Sequence, residues 1–477
     1  MASEGDRYAH PLIDRYASAE MAAVFSPRAK HTAWRDLWIA LAQAQQELGL
    51  AVTPAQISAL REQRDHFDWD RVAALERELR HDVMAHVHHF GELAPTARGI
   101  IHWGATSCYV TDNSELLLYR RGLLRVAERL RRAAAALAAF ASEHRALPCL
   151  GYTHYQVAQP VTVGKRACLW LQDLLIDLDE VERLIAWLPF RGLKGVTGTQ
   201  ATFLSLVEGD HAKVVALEKR VAEQMGFDRL VPVSGQTYTR KIDWSIHSAL
   251  AGIAQSAAKL GNDVRLLSHD GELGEPRGTK QVGSSAMPYK RNPMRCERIC
   301  SLARYVISTA DTSAQTAATQ WLERTLDDSA VRRIALPESF LAIDAILILV
   351  ENVAAGLTVY PGVIRRRLEE SLPFVAAEEI LMAGVRAGGD RQELHERMRV
   401  HSGAAAQAVA DGQPNPLLQL IADDPGFAAI RDHISTLTEP GRFVGRAAEQ
   451  VDAFLRDEAR PRLGSVDRDQ PAEEPRV

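Results

Sequence analysis

Apolar residues along this chain recur at three- and four-residue steps far more often than at alternate positions. Over residues 34–48, Trp34, Leu37, Trp38, Leu41 and Leu48 form one stripe, and Gly49 ends the run. Five much longer helical patterns follow, at about 115–143, 164–188, 240–268, 294–319 and 329–357. The first carries Leu123, Val126, Leu130, Ala134, Leu137 and Phe140 on one face, with Asp112 or Ser114 available to cap its start. The second stops at Pro189. No alternating run is long enough for a major sheet. At about 1.5 Å per residue these helices are roughly 35–45 Å long. Helices of that length bury their stripes only against neighbours of similar length. The pattern therefore predicts an all-α protein built round a bundle of five long helices.

Breaks in the pattern suggest the boundaries. Small and hydroxylated residues at 104–112 precede the first long helix, and Tyr360-Pro361-Gly362 follows the fifth. The expected units are an N-terminal helical domain (1–108), the bundle (109–361) and a C-terminal helical domain (362–458). The tail from 459 to 477, rich in Pro, Arg and acids, reads as disordered. No internal repeat is visible.

Composition narrows the function classes. The 477 residues are 46% apolar and 25% charged, the profile of a soluble globular protein. A net charge of −5 argues against a nucleic-acid-binding surface. Arginine supplies most of the positive charge, since only nine of the 56 basic residues are Lys. The five Cys (108, 149, 168, 296 and 300) form no CxxC pair, so a reducing cytoplasm is expected. The N-terminus has no apolar segment of the signal-peptide kind. The most apolar run, 341–350, is too short to cross a membrane and contains Asp344.

Four segments carry candidate chemistry. The stretch 271–293, between two long helices, holds four Gly, two adjacent Ser and two of the Lys (Lys280 and Lys290). Long loops in compact domains are functional or flexible. This one reads either as a linker or as a lid with a nucleophile or base at Ser284 or Ser285 and Lys290 as an anion-stabilising partner. His154 lies in a second polar segment, 151–160, among hydrogen-bonding neighbours; it reads as a structural or a catalytic histidine. Residues 80–90 hold His81, His86, His88 and His89, but no pair has the i, i+4 spacing of helical zinc ligands. A metal site is not expected, and Arg80-His81 looks more like an anion-binding element. Finally, 102–113 places small residues and hydroxyls ahead of a helix start, either as an ordinary cap or as an anion site. No GxxxxGK[ST] or GxGxxG motif is present.

The run Gly283-Ser284-Ser285-Ala286-Met287-Pro288-Tyr289-Lys290-Arg291-Asn292-Pro293 resembles the GSSxMPxKxNP signature of the fumarase/aspartase superfamily. Segments 80–88, 104–113, 153–166, 234–241 and 323–333 are similar to the adenylosuccinate lyases, most of all their eukaryotic-type branch. The resemblance runs from about Tyr8 to Leu455. It implies a three-domain, nearly all-helical fold with a long central five-helix bundle. It also implies β-elimination of fumarate from adenylosuccinate, giving AMP, and from SAICAR, giving AICAR, without metal or organic cofactor. By the same resemblance Ser284 is the base, His154 the acid, Lys290 a carboxylate holder, and Glu297 the residue that orients His154. His81 assists near the phosphate or leaving group. Arg80 and Asp82, which flank it, bind substrate. Thr106, Ser107 and Gln236 hold the succinyl and base portions, and Arg15, Tyr16, Arg298, Arg324, Ser329 and Arg333 the nucleotide. Argininosuccinate lyase and fumarase share the serine loop but not 80–82 or 323–333. A catalytically dead structural protein on this fold would have lost His154, Ser284 or Lys290.

Geometry adds one expectation. A helix over 115–143 separates Thr106 and Ser107 from His154 by roughly 43 Å. No small substrate spans that gap. Either one segment is idle or another subunit completes the site. The resemblance implies the latter: a homotetramer with four sites, each built from three chains, round a core of twenty helices.

Overall fold

The computed structural model describes residues 8–278, 286, 287, 289–464, 475 and 476. Ser284 and Ser285 lie outside the described residues. The N-terminal region includes α1 (Pro27–Glu47), α2 (Trp69–Leu79) and α3 (Asp82–Leu93). Five long helices follow: α4 (Ser107–Glu143), α5 (Val163–Trp187), α6 (Lys241–His269), α7 (Met294–Ala318) and α8 (Asp328–Gly356). Helix α4 packs on α5 and α8, and α6 packs on α5, α7 and α8. These five match the predicted helices to within two residues, apart from the start of α4. That helix begins eight residues early, at Ser107, so Asp112 and Ser114 lie buried inside it and cap nothing. Ser114 instead accepts a hydrogen bond from the Trp34 indole (2.9 Å).

Between α4 and α5 the chain forms an antiparallel hairpin, β1 (Pro148–Thr153) and β2 (Gln156–Thr162), where the sequence pattern gives only a polar segment. A second short pairing joins β3 (Leu273–Gly274) to β4 (Thr358–Val359), clamping the end of α6 to the end of α8. Helix α9 (Pro361–Val375) then begins at Pro361, a residue that suits a first helical turn.

Helix α8 is the axis of the bundle. Every residue from Ser339 to Ala354 is buried. A helix apolar on all sides is stable only when neighbours enclose it. Each fully buried Leu, Ile or Val contributes about 1.5–3 kcal/mol. The N-terminal region shares this core, through residues such as Trp34, Leu37 and Trp38. A second core, from Ala376 to Leu437, lies in the C-terminal region. Helical structure continues through Leu463, which is buried, and Arg462 pairs with Asp179 at 3.0 Å. The packed chain thus extends past 459, where composition predicts disorder.

An acid near the middle of the apolar axis has a specific task. Asp344, fully buried, accepts the backbone N–H of Ser18 at 2.7 Å and faces Arg129 at 3.4 Å. Ser18 in turn caps the short helix Ala19–Val24. The N-terminal arm is therefore tied to the bundle through this carboxylate, and through Glu338 of the same helix, which meets His10 Nε2 at 3.0 Å. Asp344→Ala removes the first of these ties and takes a carboxylate away from the buried Arg129 guanidinium. It is expected to cost about 3 kcal/mol, read as a lower urea midpoint with an unchanged slope.

Buried histidines set an acid limit on stability. His31 stacks on His86 at 3.9 Å between centroids, with Trp34 edge-on to both. His247 is held by Ser313 (2.7 Å) and Ser339 (2.8 Å), joining α6, α7 and α8. Burial lowers the pKa of His31 to about 3, of His86 to about 2 and of His247 to about 4. The unfolded chain, with values near 6.5, binds more protons between those limits. Stability should therefore be full above about pH 6.5 and fall as pH drops towards 4, by up to about 1.4 kcal/mol per pH unit for each histidine. Urea midpoints between pH 7.5 and 5 check this, and His86→Phe should flatten the slope.

Candidate active site

A cavity of about 450 Å³ opens where α3, α4 and α8 converge. Eight of the residues singled out from the sequence line it: Arg80, His81, Asp82, Ser107, Gln236, Arg324, Ser329 and Arg333. They come from parts of the chain up to 250 positions apart, and local backbone geometry explains how each is presented. Arg80 ends α2 in the left-handed conformation (φ 52°), and His81 begins α3 as its N-cap. A non-glycine residue in that region costs roughly 1–2 kcal/mol, so this tight corner is held by its surroundings. Gly235 lets the 234–236 segment lie against Glu323, where a Cβ would come within 2.4 Å of the Glu323 carbonyl. The Gln236 N–H then donates to that carbonyl at 3.0 Å.

His81 has a defined tautomer. Its Nδ1 accepts the Met84 N–H at 3.3 Å, so a neutral ring carries its proton on Nε2. That nitrogen lies 3.4 Å from Ser107 Oγ, at the cavity surface. The ring thus presents an N–H donor. Asp82 pairs with Arg333 at 3.0 Å. Burial pushes the Asp82 carboxyl up, but the Val83 N–H and Arg333 outweigh it and hold it below the usual range.

The floor of the cavity is a buried ionic network. Arg240 bridges Asp112 of α4 (3.1 Å) and Asp328 of α8 (2.7 Å). Arg332 joins Glu115 (2.6 Å) and Asp243 (2.5 Å), and the Tyr238 hydroxyl donates to Asp243 (2.5 Å). Burial raises the Asp112 carboxyl, yet the charges of Arg240, Arg332 and Arg191 bring it below its ordinary value. Cys108, buried beside this network, accepts from Arg324 at 3.1 Å; burial and then Asp112 push its thiol up to about 11. Arg240, Asp328 and Arg332 fall within or beside segments already singled out, but nothing in the spacing marks them as the floor. Lys30, which also lines the cavity, gave no signal at all.

The remaining site residues lie elsewhere. Thr106 is the N-cap of α4, just outside the lining set. His154 and Tyr155 form the two-residue turn between β1 and β2, both with positive φ (52° and 57°) and exposed. Lys290 is exposed, and its N–H donates to the Met287 carbonyl at 3.0 Å. Glu297 is exposed in the first turn of α7. The Arg298 guanidinium sits over the Tyr16 ring at 5.7 Å, bringing those two together, while Arg15 is exposed beside Tyr16. No hydrogen bond or ion pair joins His154 to Glu297 among the described residues. The cavity borders the start of α4, and the hairpin follows its end. With 37 residues, α4 separates them by roughly 55 Å at about 1.5 Å per residue. His86 and His89 are packed in the N-terminal core, and among the described residues no group of three or more His, Cys, Asp or Glu is set to hold a metal ion.

The fold has close counterparts among solved structures. A 3-carboxy-cis,cis-muconate lactonizing enzyme from Pseudomonas putida superposes with a TM-score of 0.83 at 24% identity, covering 95% of this chain and 100% of that one. A fumarate lyase from Mesorhizobium sp. BNC1 gives 0.80 at 25% identity, with 95% and 100% covered. Residues 16–308 match the family model described as Lyase, so the architecture is that of the fumarase/aspartase superfamily of lyases. Residues 373–454 match the model described as adenylosuccinate lyase C-terminus. The adenylosuccinate lyase of Saccharomyces cerevisiae is 50% identical over 456 residues, 94% of each chain. That of Schistosoma mansoni is 48% identical over 465 residues, 97% of each. The chain belongs to the adenylosuccinate lyase family.

The ionic floor makes a test possible. Arg240→Met leaves Asp112 and Asp328 buried without their shared guanidinium. The expected cost is about 3–5 kcal/mol. Thermal melting should show the loss, while the nearly isosteric change at exposed Arg399 should leave the melting temperature within a degree or two.

Proposed function

We propose that this chain cleaves fumarate from adenylosuccinate, leaving AMP, and from SAICAR, leaving AICAR, in the purine nucleotide pathway of the cytoplasm. The observation that carries this reading is the convergence of Arg80, His81, Asp82, Ser107, Gln236, Arg324, Ser329 and Arg333 on one cavity. All eight lie in segments similar to the family's, and distance along the chain gives them no other reason to meet.

In this reading Ser284 removes a proton from the succinyl β-carbon. The resulting pair of electrons forms the C=C bond of fumarate as the C–N bond breaks. His154, oriented by Glu297, gives a proton to the departing nitrogen. The carbanion next to a carboxylate is an aci-carboxylate dianion, and Lys290 stabilises it. A serine is a weak base, so it acts as an alkoxide held by its surroundings. The Nε2–H of His81 donates to the substrate from the cavity wall. Arg15, Tyr16, Arg298, Arg324, Ser329 and Arg333 hold the nucleotide, Arg through bidentate forks suited to phosphate.

The separation along α4 supports a shared site. The cavity and the hairpin of one chain are too far apart to meet across a small substrate. A closed oligomer with antiparallel bundles brings one chain's cavity to another chain's hairpin and to a third chain's signature loop. We therefore assign a homotetramer with four such sites.

The purified protein should convert both substrates without added metal, and EDTA should not slow it. Cleavage of argininosuccinate with adenylosuccinate left intact would refute the substrate assignment. Ser284→Ala and His154→Ala should each lower kcat by at least about 10²-fold. Mixing the two inactive proteins under conditions of proven subunit exchange should restore part of the activity. Failure to do so, or a fully active monomer in light scattering, would exclude the shared site.

A further inference from the structure

The cavity holds a cation with no assigned task. Lys30 stands in the first turn of α1, and its ammonium lies 5.2 Å from the centroid of the Trp34 ring. That ring is itself fixed, since its N–H donates to Ser114 of α4. The ammonium is thus placed by a rigid platform. Building on the substrate assignment above, we propose that Lys30 binds the phosphomonoester of the nucleotide, together with Arg333.

The charges around it support this role. Among the described residues the Lys30 ammonium makes no hydrogen bond and no ion pair within 4 Å. Of the other cations of the wall, Arg240 and Arg332 are locked into buried carboxylates, Arg333 holds Asp82 and Arg324 donates to Cys108, while Arg80 like Lys30 has no carboxylate within 4 Å among the described residues. Glu115 of α4, Asp82 of α3 and Glu76 of α2 act on Lys30 at longer range, with Arg333 of α8 opposing them, while His31 of its own helix stays neutral. Burial holds its pKa below the ordinary lysine value, and the neighbouring Arg333 contributes in the same direction. With histidines neutral, the lining carries one more cation than carboxylates, in a chain of net charge −5. Two cations held near each other, one of them without a partner, favour a ligand of high negative charge. A phosphomonoester, at about −1.5 to −2 near pH 7, answers this better than a single carboxylate. An ammonium suits it as a point charge free to follow the phosphate oxygens.

Calorimetric titration with AMP and, separately, with fumarate distinguishes the two anionic ends of the substrate without relying on turnover. Lys30→Gln should weaken AMP binding by about 10- to 100-fold and leave fumarate binding within twofold of wild type. In the steady state its KM should rise while kcat stays within about threefold. Lys30→Arg should restore most of the affinity, which a purely packing role would not predict. Where Lys30→Gln fails to fold by circular dichroism, Lys30→Met takes its place. Unchanged AMP affinity in a folded variant, or a loss confined to fumarate, overturns the proposal. A wild-type protein that ignores AMP would instead count against the substrate assignment. Inorganic pyrophosphate then serves as the probe, and equal binding to wild type and Lys30→Gln overturns the role of Lys30.

Discussion

Everything in the candidate site rests on charges that have been removed from water and paired. Arg240 ties α4 to α8 through Asp112 and Asp328, and Arg332 ties both to α6 through Glu115 and Asp243. A buried ion pair adds little net stability over an apolar core, but losing one partner is costly. The network therefore acts chiefly as a constraint. It fixes how the ends of three helices lie relative to one another. The cavity walls, Ser107 on α4 and Ser329 and Arg333 on α8, inherit their positions from it. The wall can thus be polar and open to substrate while its floor stays rigid.

The same division explains what was legible in the sequence. Helix α8 holds a long apolar run, and the other bundle helices repeat their apolar residues at helical steps. Burial enforces those patterns, so the five helices could be read to within two residues at most ends. The start of α4 could not. Asp112 and Ser114 have the chemistry of caps, yet their polar atoms serve tertiary partners inside a longer helix. The β1–β2 hairpin also escaped. Two-residue hairpin turns usually take Asn-Gly or a similar pair, whereas here His154 and Tyr155 adopt positive φ. That strain is typical of a functional position.

The site itself was legible only through motif likeness. Periodicity says nothing of Arg80 and Arg333 meeting, because 252 residues lie between them. Lys30 carried no signal, since its meaning comes from what it lacks, a paired carboxylate, and pairing is a property of the folded state. Ser284, to which the likeness gives the base, lies outside the described residues. The geometry here therefore speaks for the binding wall and the hairpin rather than for proton removal.

The burial of α8 has a consequence for synthesis on the ribosome. The helix that fills the axis of the bundle is also the last of the five to be made. Helix α4 is complete roughly 200 residues before Gly356 emerges. At about 5–20 residues per second, that is an interval of about 10–40 s. Through it, the face of α4 that will meet α8 has no α8 to cover it, and the faces of α6 and α7 join it as each is made. A nascent chain in this state is a natural client for chaperones that shield apolar surface. Slowing translation between residues 320 and 360 should lengthen the exposure rather than help folding, the reverse of its effect on proteins whose early segments fold alone.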